Sequence, residues 1–426
     1  GFRMHDANAS GVPAVSFAVD IPPSSATQAA VMLSLPTELL GNGTSVTSRN
    51  GRVLLTQGEA GDRQGQLVLS ASSAGGDAPK PSLAWEAAPS VSALLASFSD
   101  DGALSNRSSG AAHGAIAAKV PVRPHARTTL LITLSWFLPS RHWSHGETIG
   151  QAYSRRFGSA EAVAAEAEAP ERIAAVLEDA AALQSLHFDN SLLPLWLQDG
   201  LVNSVSALYK TGMWLEDGRY RGFESFSCPQ VDNPHIQKPR ALAALHLLPE
   251  LERSELMLHL DKQTDDKATG SGMVAENFGG APLDTVCAGA RGDDNAVVIL
   301  DVLANVKWVE GGQEWLMSVW SKGKSVVQWQ LRQAEQLGTM PSLTNTYDEA
   351  PSMGKTHDHC WRLGCTLPRV PAVIVRAGAA AARHQPRRAQ ALCRRPRPHD
   401  GRRPPPQPRP PDTLRRQRQA WHRRRP

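Results

Sequence analysis

The chain has 426 residues, 41 % hydrophobic and 20 % charged, enough for two or three domains and a substantial buried core. No apolar run reaches the ~18 residues a membrane-spanning helix needs. The net charge of +4 joins two unlike parts: residues 369–426 hold 17 Arg, no Lys and 2 Asp, a balance of +15, which leaves −11 for residues 1–368. Basicity therefore belongs to the tail, and no nucleic-acid partner is expected for the mildly acidic body. The first residue is Gly, which reads as a missing natural start and leaves a targeting segment open. Of five Cys, Cys360, Cys365 and Cys393 lie in or beside the tail, and Cys228 and Cys287 read as free thiols. Eleven Trp against four Tyr suit either sugar stacking or a large core. Asn8, Asn42 and Asn106 open glycosylation triplets that arise often by chance.

In chain order, residues 12–140 read as short strands. Val15, Phe17 and Val19 alternate with small or polar neighbours, residues 53–55, 67–69 and 83–85 are short apolar runs, and residues 130–137 form the strongest strand candidate. Gly-, Asn- and Ser-rich turns separate them, which predicts an antiparallel β-sandwich over residues 1–150. The pattern then changes. Residues 159–186 carry apolar side chains at helical spacing, and Pro170 divides them into two helices, a linker over 151–186. Further helices are predicted over 192–210, 239–260, 295–309 and 313–337, a hairpin array over 187–358 of the kind that closes into a ring. Residues 359–426, with their Arg-Arg-Pro-Arg-Pro and Pro-Pro-Pro-Gln-Pro-Arg-Pro-Pro runs, cannot bury a core and are expected to be disordered. Such a tail suits a polybasic segment, a proline-rich ligand, or out-of-frame translation of a GC-rich gene. The abruptness of the change, between His357 and Leu367, favours the last.

Glycosidic hydrolysis needs two carboxyl groups flanking the anomeric carbon. Glu224 sits in an aromatic-rich loop or extended segment ahead of Pro229; alone, such a Glu suits an exposed structural role as well as a catalytic one. Asp232, Asn233 and His235 follow it, short polar groups able to fix sugar hydroxyls or orient the Glu, and His235 reads equally as a cap before the next helix. Asp348, in Asn345-Thr346-Tyr347-Asp348, lies in a loop after the Gly338 helix stop. His357, Asp358, Cys360 and Cys365 fit no zinc template, so no metal site is assigned. No G-x-S-x-G elbow, phosphate-binding Walker loop or H-E-x-x-H motif occurs.

The segment from Trp214 to Glu252 resembles the catalytic centre of glycoside hydrolase family 116, the non-lysosomal glucosylceramidase and β-glucosidase type. Glu224-Ser225-Phe226 and Pro249-Glu250-Leu251-Glu252 stand at the matching distance. Leu193-Pro194-Leu195-Trp196, Trp136-Phe137-Leu138-Pro139, Tyr153-Ser154-Arg155-Arg156-Phe157 and Thr346-Tyr347-Asp348 match in order. The resemblance implies a β-sandwich packed on an (α/α)6 barrel, Glu224 as nucleophile, Asp348 as acid/base, Thr346 beside the scissile oxygen, and no cofactor. His235 stands where the family often has Asp, and Glu276-Asn277 replace a His-Asp pair that binds sugar hydroxyls. Nothing after about Thr356 matches, so the barrel is expected to be truncated, with apolar helix faces exposed. The implied substrate is a β-glucoside or glycolipid, with peripheral membrane association and a cytoplasmic or membrane-associated, non-lysosomal setting. The alternative is a catalytically impaired relative that binds sugar or serves as a scaffold.

Overall fold

A computed structural model describes residues 6–57, 65–73, 79–108, 110, 112–143, 147–189, 192–224, 230–266, 270–279, 283–288 and 294–337. The chain divides into two units, residues 1–378 and 379–426. The second lies outside the described residues, as do Thr346, Asp348 and the expected disorder of the tail. Every described element belongs to the first unit.

A short helix α1 (Ala7–Ser10) leads into β1 (Ala14–Ile21), β2 (Gln28–Pro36), β3 (Thr44–Arg49), β4 (Arg52–Gln57), β5 (Gln66–Ser73) and β6 (Ser82–Ala88). Helix α2 (Val91–Asp101) and strands β7 (Arg107–Ser108), β8 (His113–Pro121) and β9 (Thr128–Phe137) follow. They make two sheets, ordered β1-β9-β5-β4-β3 and β2-β8-β6-β7, antiparallel except for the β6–β7 pair. Strand periodicity explains the layers. Leu67 and Leu69 of β5 point between the sheets with Val53, Leu55, Ala87 and Ile116, while Val68 points outward against Ala160 and Ala164. On β8, Ala115 and Ala117 present small side chains outward, and α2 lays Leu94 and Phe98 over them. Ser90 caps α2 by accepting the Ala93 N–H at 3.2 Å, and Gly102, at φ 73°, ends it in the left-handed region.

The second half is helical, so the order is β then α, as expected. Strands β10 (Ser140–His142) and β11 (Thr148–Gly150) form a hairpin at the boundary, followed by α3 (Ala160–Ala167) and α4 (Pro170–Phe188). Pro170 at the first position of α4 separates the two helices as predicted. Next come α5 (Leu195–Ser204), α6 (Ser206–Thr211), the hairpin of β12 (Gly212–Trp214) and β13 (Tyr220–Gly222), α7 (Pro234–Leu247) and α8 (Pro249–Asp261). Small strands β14 (Thr264–Asp266), β15 (Gly270–Met273), β16 (Asn277–Phe278) and β17 (Val286–Ala288) precede α9 (Asp294–Trp308) and α10 (Gly312–Leu337). The single helix predicted over 239–260 is two: Pro249 cannot donate a backbone hydrogen bond, and Leu248 before it is turned out of helical geometry at φ −144° and ψ 64°. Leu256 and Leu260 of α8 pack with Val298, Ile299 and Val302 of α9 and Leu316, Val319 and Val326 of α10. A separate cluster, Ile149, Met213, Leu215, Phe223, Val231, Leu258 and Phe278, joins the β11 hairpin to the helical half.

Candidate active site

Glu224 is built onto the molecule by a run of short backbone pairings. The Glu216 N–H donates to the Gly150 carbonyl at 2.8 Å, and Gln151 bridges Leu215, so the β10–β11 hairpin carries the β12–β13 hairpin. The chain continues from β13 through Phe223 and Glu224 and returns at Gln230. There the Glu224 N–H donates to the Gln230 carbonyl at 2.9 Å, Phe223 bridges Val231, and the Asp232 N–H donates to the Gly222 carbonyl at 2.8 Å. Val231 in turn exchanges hydrogen bonds with Phe278, at 2.9 and 3.2 Å. Three segments lie side by side, carrying Glu224, then Gln230 to Asn233, then Glu276 and Asn277.

Their amides form a directed chain. Asn277 Nδ2 donates to Gln230 Oε1 at 3.0 Å; Asn233 Nδ2 donates to the same oxygen at 2.9 Å and to Glu224 Oε2 at 3.0 Å. Glu224 is half-buried, whereas Asn233 and Asn277 are almost fully buried. The donors of Asn233 are thus spent on Glu224 and Gln230. Neither Asn233 Oδ1 nor Asn277 Oδ1 has a hydrogen-bond partner among the described residues. Buried acceptors left this way are costly unless a ligand or water donates to them. Asn233 also occupies the N-cap of α7 without capping it. An Asn there ordinarily accepts from the helix N–H groups, so its diversion to Glu224 sets a site requirement above a local preference.

Asp232 is different. It is fully buried, stands at φ 54°, and accepts the Gly222 N–H through Oδ1 at 2.6 Å. Its other oxygen lies 3.4 Å from Arg221 Nε. Burial, and next the neighbouring Glu255 carboxyl, push Asp232 well above the usual carboxylate range, against the pull of Arg221. By accepting the Gly222 N–H, Asp232 closes the 222–232 loop, which is a task of holding backbone. Arg221, also buried, binds both oxygens of Asp284 at 3.1 and 3.3 Å and the Ser254 carbonyl at 3.2 Å. Asp284 also pairs with Arg219, and despite its burial the two guanidinium groups hold it below the ordinary carboxylate value. His259 packs edge-on against Phe278 at 5.3 Å, and burial lowers it to about 4, so the ring is neutral.

Of the residues singled out from the sequence, Glu224, Asn277 and the orienting Asn233 are linked by hydrogen bonds through Gln230. Glu276 is buried next to Asn277, within the same segment. His235 lies inside the first turn of α7, so it does not precede the helix as a cap would; its side chain, Thr346 and Asp348 lie outside the described residues. Gln230, Arg221, Asp284, Glu255 and His259 were not singled out, because isolated polar residues in a loop or on a helix give no pattern. Among the described residues, no group of three or more His, Cys, Asp or Glu is placed to hold a metal ion.

No curated protein matches the chain. Residues 2–172 match the family model described as beta-glucosidase 2, glycosyl-hydrolase family 116 N-term. That span takes in both sheets, the β10–β11 hairpin and α3. The β-rich part of the chain, residues 2–172, is thus similar to the N-terminal domain of glycosyl-hydrolase family 116.

Proposed function

We propose that the protein is a retaining glycoside hydrolase acting on β-glucosides, glucosylceramide-like lipids included, with Glu224 as nucleophile and Asp348 as general acid/base. The observation that carries this reading is a conjunction. A region similar to the family 116 N-terminal domain is paired, through Gly150 and Gln151 with Leu215 and Glu216, to the hairpin leading into a short segment whose carboxylate is oriented by a buried amide. The helices α5 to α10 are read as part of an (α/α)6 barrel, and Thr346 and His235 as further sugar contacts. Glu276 and Asn277 bind hydroxyls, the free Asn277 Oδ1 acting as acceptor, while Asp232 supports the loop.

The chemistry is double displacement. Glu224 attacks the anomeric carbon as the glycosidic bond breaks, and the Asp348 proton passes to the departing oxygen. The ester so formed is opened by water, whose proton returns to Asp348 as its oxygen displaces Glu224. Asn233, donating to Glu224 Oε2, leaves the other carboxylate oxygen for attack. A glycolipid substrate places the protein at a membrane surface; among the described residues no helix is long and apolar enough to cross one.

The test is Glu224→Gln assayed on an aryl β-glucoside, with product stereochemistry followed by NMR. The reading expects a loss of about 10³-fold or more in kcat and retention in the wild type. Undiminished hydrolysis by the variant removes Glu224 from the reaction, and inversion removes the covalent step. Sugar binding without turnover by the wild type points to the sugar-binding relative instead.

A further inference from the structure

The three segments at the candidate site are short, and β16 has only two residues. Strands this brief do not hold themselves in place. What fixes the first against the third comes from the N-terminal domain. Trp143, at the turn of the β10–β11 hairpin, stacks obliquely on Phe223 with centroids 5.6 Å apart, and its Nε1–H donates to the Gly279 carbonyl at 3.1 Å. Phe223 precedes Glu224, and Gly279 follows Asn277 by two residues. Gly279 stands at φ 118°, and a Cβ there would meet Val231 at 3.4 Å and Trp143 at 3.5 Å. Arg141 covers the same pair, its guanidinium carbon 4.8 Å from the Phe223 centroid and 5.6 Å from that of Trp143.

Successive residues on an extended segment face opposite ways, so the stack lies behind the segment and Glu224 on its other side. The amide chain runs Asn277 to Gln230, with Asn233 donating both to Gln230 and to Glu224. Any slip of the third segment therefore reaches the Asn233 amide through the shared Gln230 oxygen. We infer that Trp143 is a positioning residue, an indole of the N-terminal domain that sets the spacing between the Glu224 and Asn277 segments and so the orientation of the Glu224 carboxylate. It touches neither the sugar nor the reacting atoms. Its kinetic consequence rests on the glycosidase reading; its structural consequence does not.

The experiment compares the full chain with Trp143→Phe, which keeps a ring and loses the donor to Gly279, and Phe223→Leu, which keeps the indole and its hydrogen bond. Hydrogen exchange is followed in peptides covering 220–224, 274–279 and α9–α10, beside kcat and KM for an aryl β-glucoside. Trp143→Phe is expected to speed exchange about five- to tenfold in both site segments and to leave α9–α10 unchanged. Phe223→Leu is expected to loosen residues 220–224 alone. In an active wild type, Trp143→Phe lowers kcat about tenfold with KM within about twofold. Unchanged exchange in both variants, or loosening that spreads through α9–α10, overturns the inference, as does an unchanged kcat. A wild type without turnover defeats the glycosidase reading only, and the exchange pattern then decides the inference by itself. Should Trp143→Phe fail to fold, selective loosening by Phe223→Leu supports the inference, and no loosening overturns it.

Discussion

At the scale of single residues, the ionisable groups beneath the site pull stability in opposite directions with pH. His259 has a folded value of about 4, below the ordinary 6.5, with burial the first cause. The unfolded chain therefore binds a proton between these values that the folded chain refuses, and stability falls as pH drops through this window. The loss by pH 4 is about 3 kcal/mol for a shift from 6.5 to about 4. Asp232 has the other sign: its folded value is raised, so the folded chain holds a proton that the unfolded chain gives up, and stability falls as pH rises above 3.8. His259→Phe keeps a ring against Phe278 and removes the titration. Denaturant unfolding at pH 7 and pH 4 should show the wild type losing about 3 kcal/mol more than the variant between the two. Equal losses would mean that His259 does not titrate in this range. None of this was legible in the sequence, where His259 is one of several polar residues on the amphipathic helix 249–261. Asn233 was more legible, since with Asp232 and His235 it is a short polar residue soon after Glu224, able to bind sugar hydroxyls or orient the Glu, and its amide does reach Glu224.

At the scale of elements, what could be read depended on how local the stabilising interactions are. Strand β9 and helices α3, α4, α9 and α10 carry their own periodicity, so they were found within a few residues of their observed ends. Strand β1 was found too, but its alternation misstates burial. Phe17 is 48 % exposed, because β1 is an edge strand paired only with β9 within its sheet. The pairings around Glu224 could not be read at all, since Phe223, Val231 and Phe278 form single bridges held by tertiary contacts. Helix α2 offers a clean test of a local stop signal. Gly102 stands at φ 73°, and a Cβ added there would lie 2.6 Å from Ala30 Cβ on strand β2. Gly102→Ala therefore meets both the left-handed penalty and a clash that backbone must relieve. Its cost should be about 2–3 kcal/mol, read as a fall in the urea midpoint without a change in slope. A change under about 0.5 kcal/mol would mean that α2 can lift from β8 and β2 without loss.

At the scale of the molecule, charge and class were readable, since a sum over composition needs no contacts. The order of β-sheets then helices followed from periodicity alone. Which helix faces meet which is long-range information, and here the helical half keeps an apolar stripe in the open. Leu177 on α4, Leu192 ahead of α5, and Leu195 and Trp196 on α5 are 54, 89, 71 and 74 % exposed. Single exposed apolar residues are ordinary, but these four, three of them on the packed helices α4 and α5, are of the kind that draw other surfaces to them. Because these side chains contribute little to the core, changing them should leave folding nearly intact while altering association. Leu195→Glu combined with Trp196→Glu should change unfolding free energy by less than about 1 kcal/mol. It should also lower binding of a hydrophobic dye and reduce light scattering as concentration rises, since the new charges repel and hydrate the stripe. If dye binding and scattering stay the same while stability is kept, association runs through another surface, and the α4–α5 stripe has no part in it.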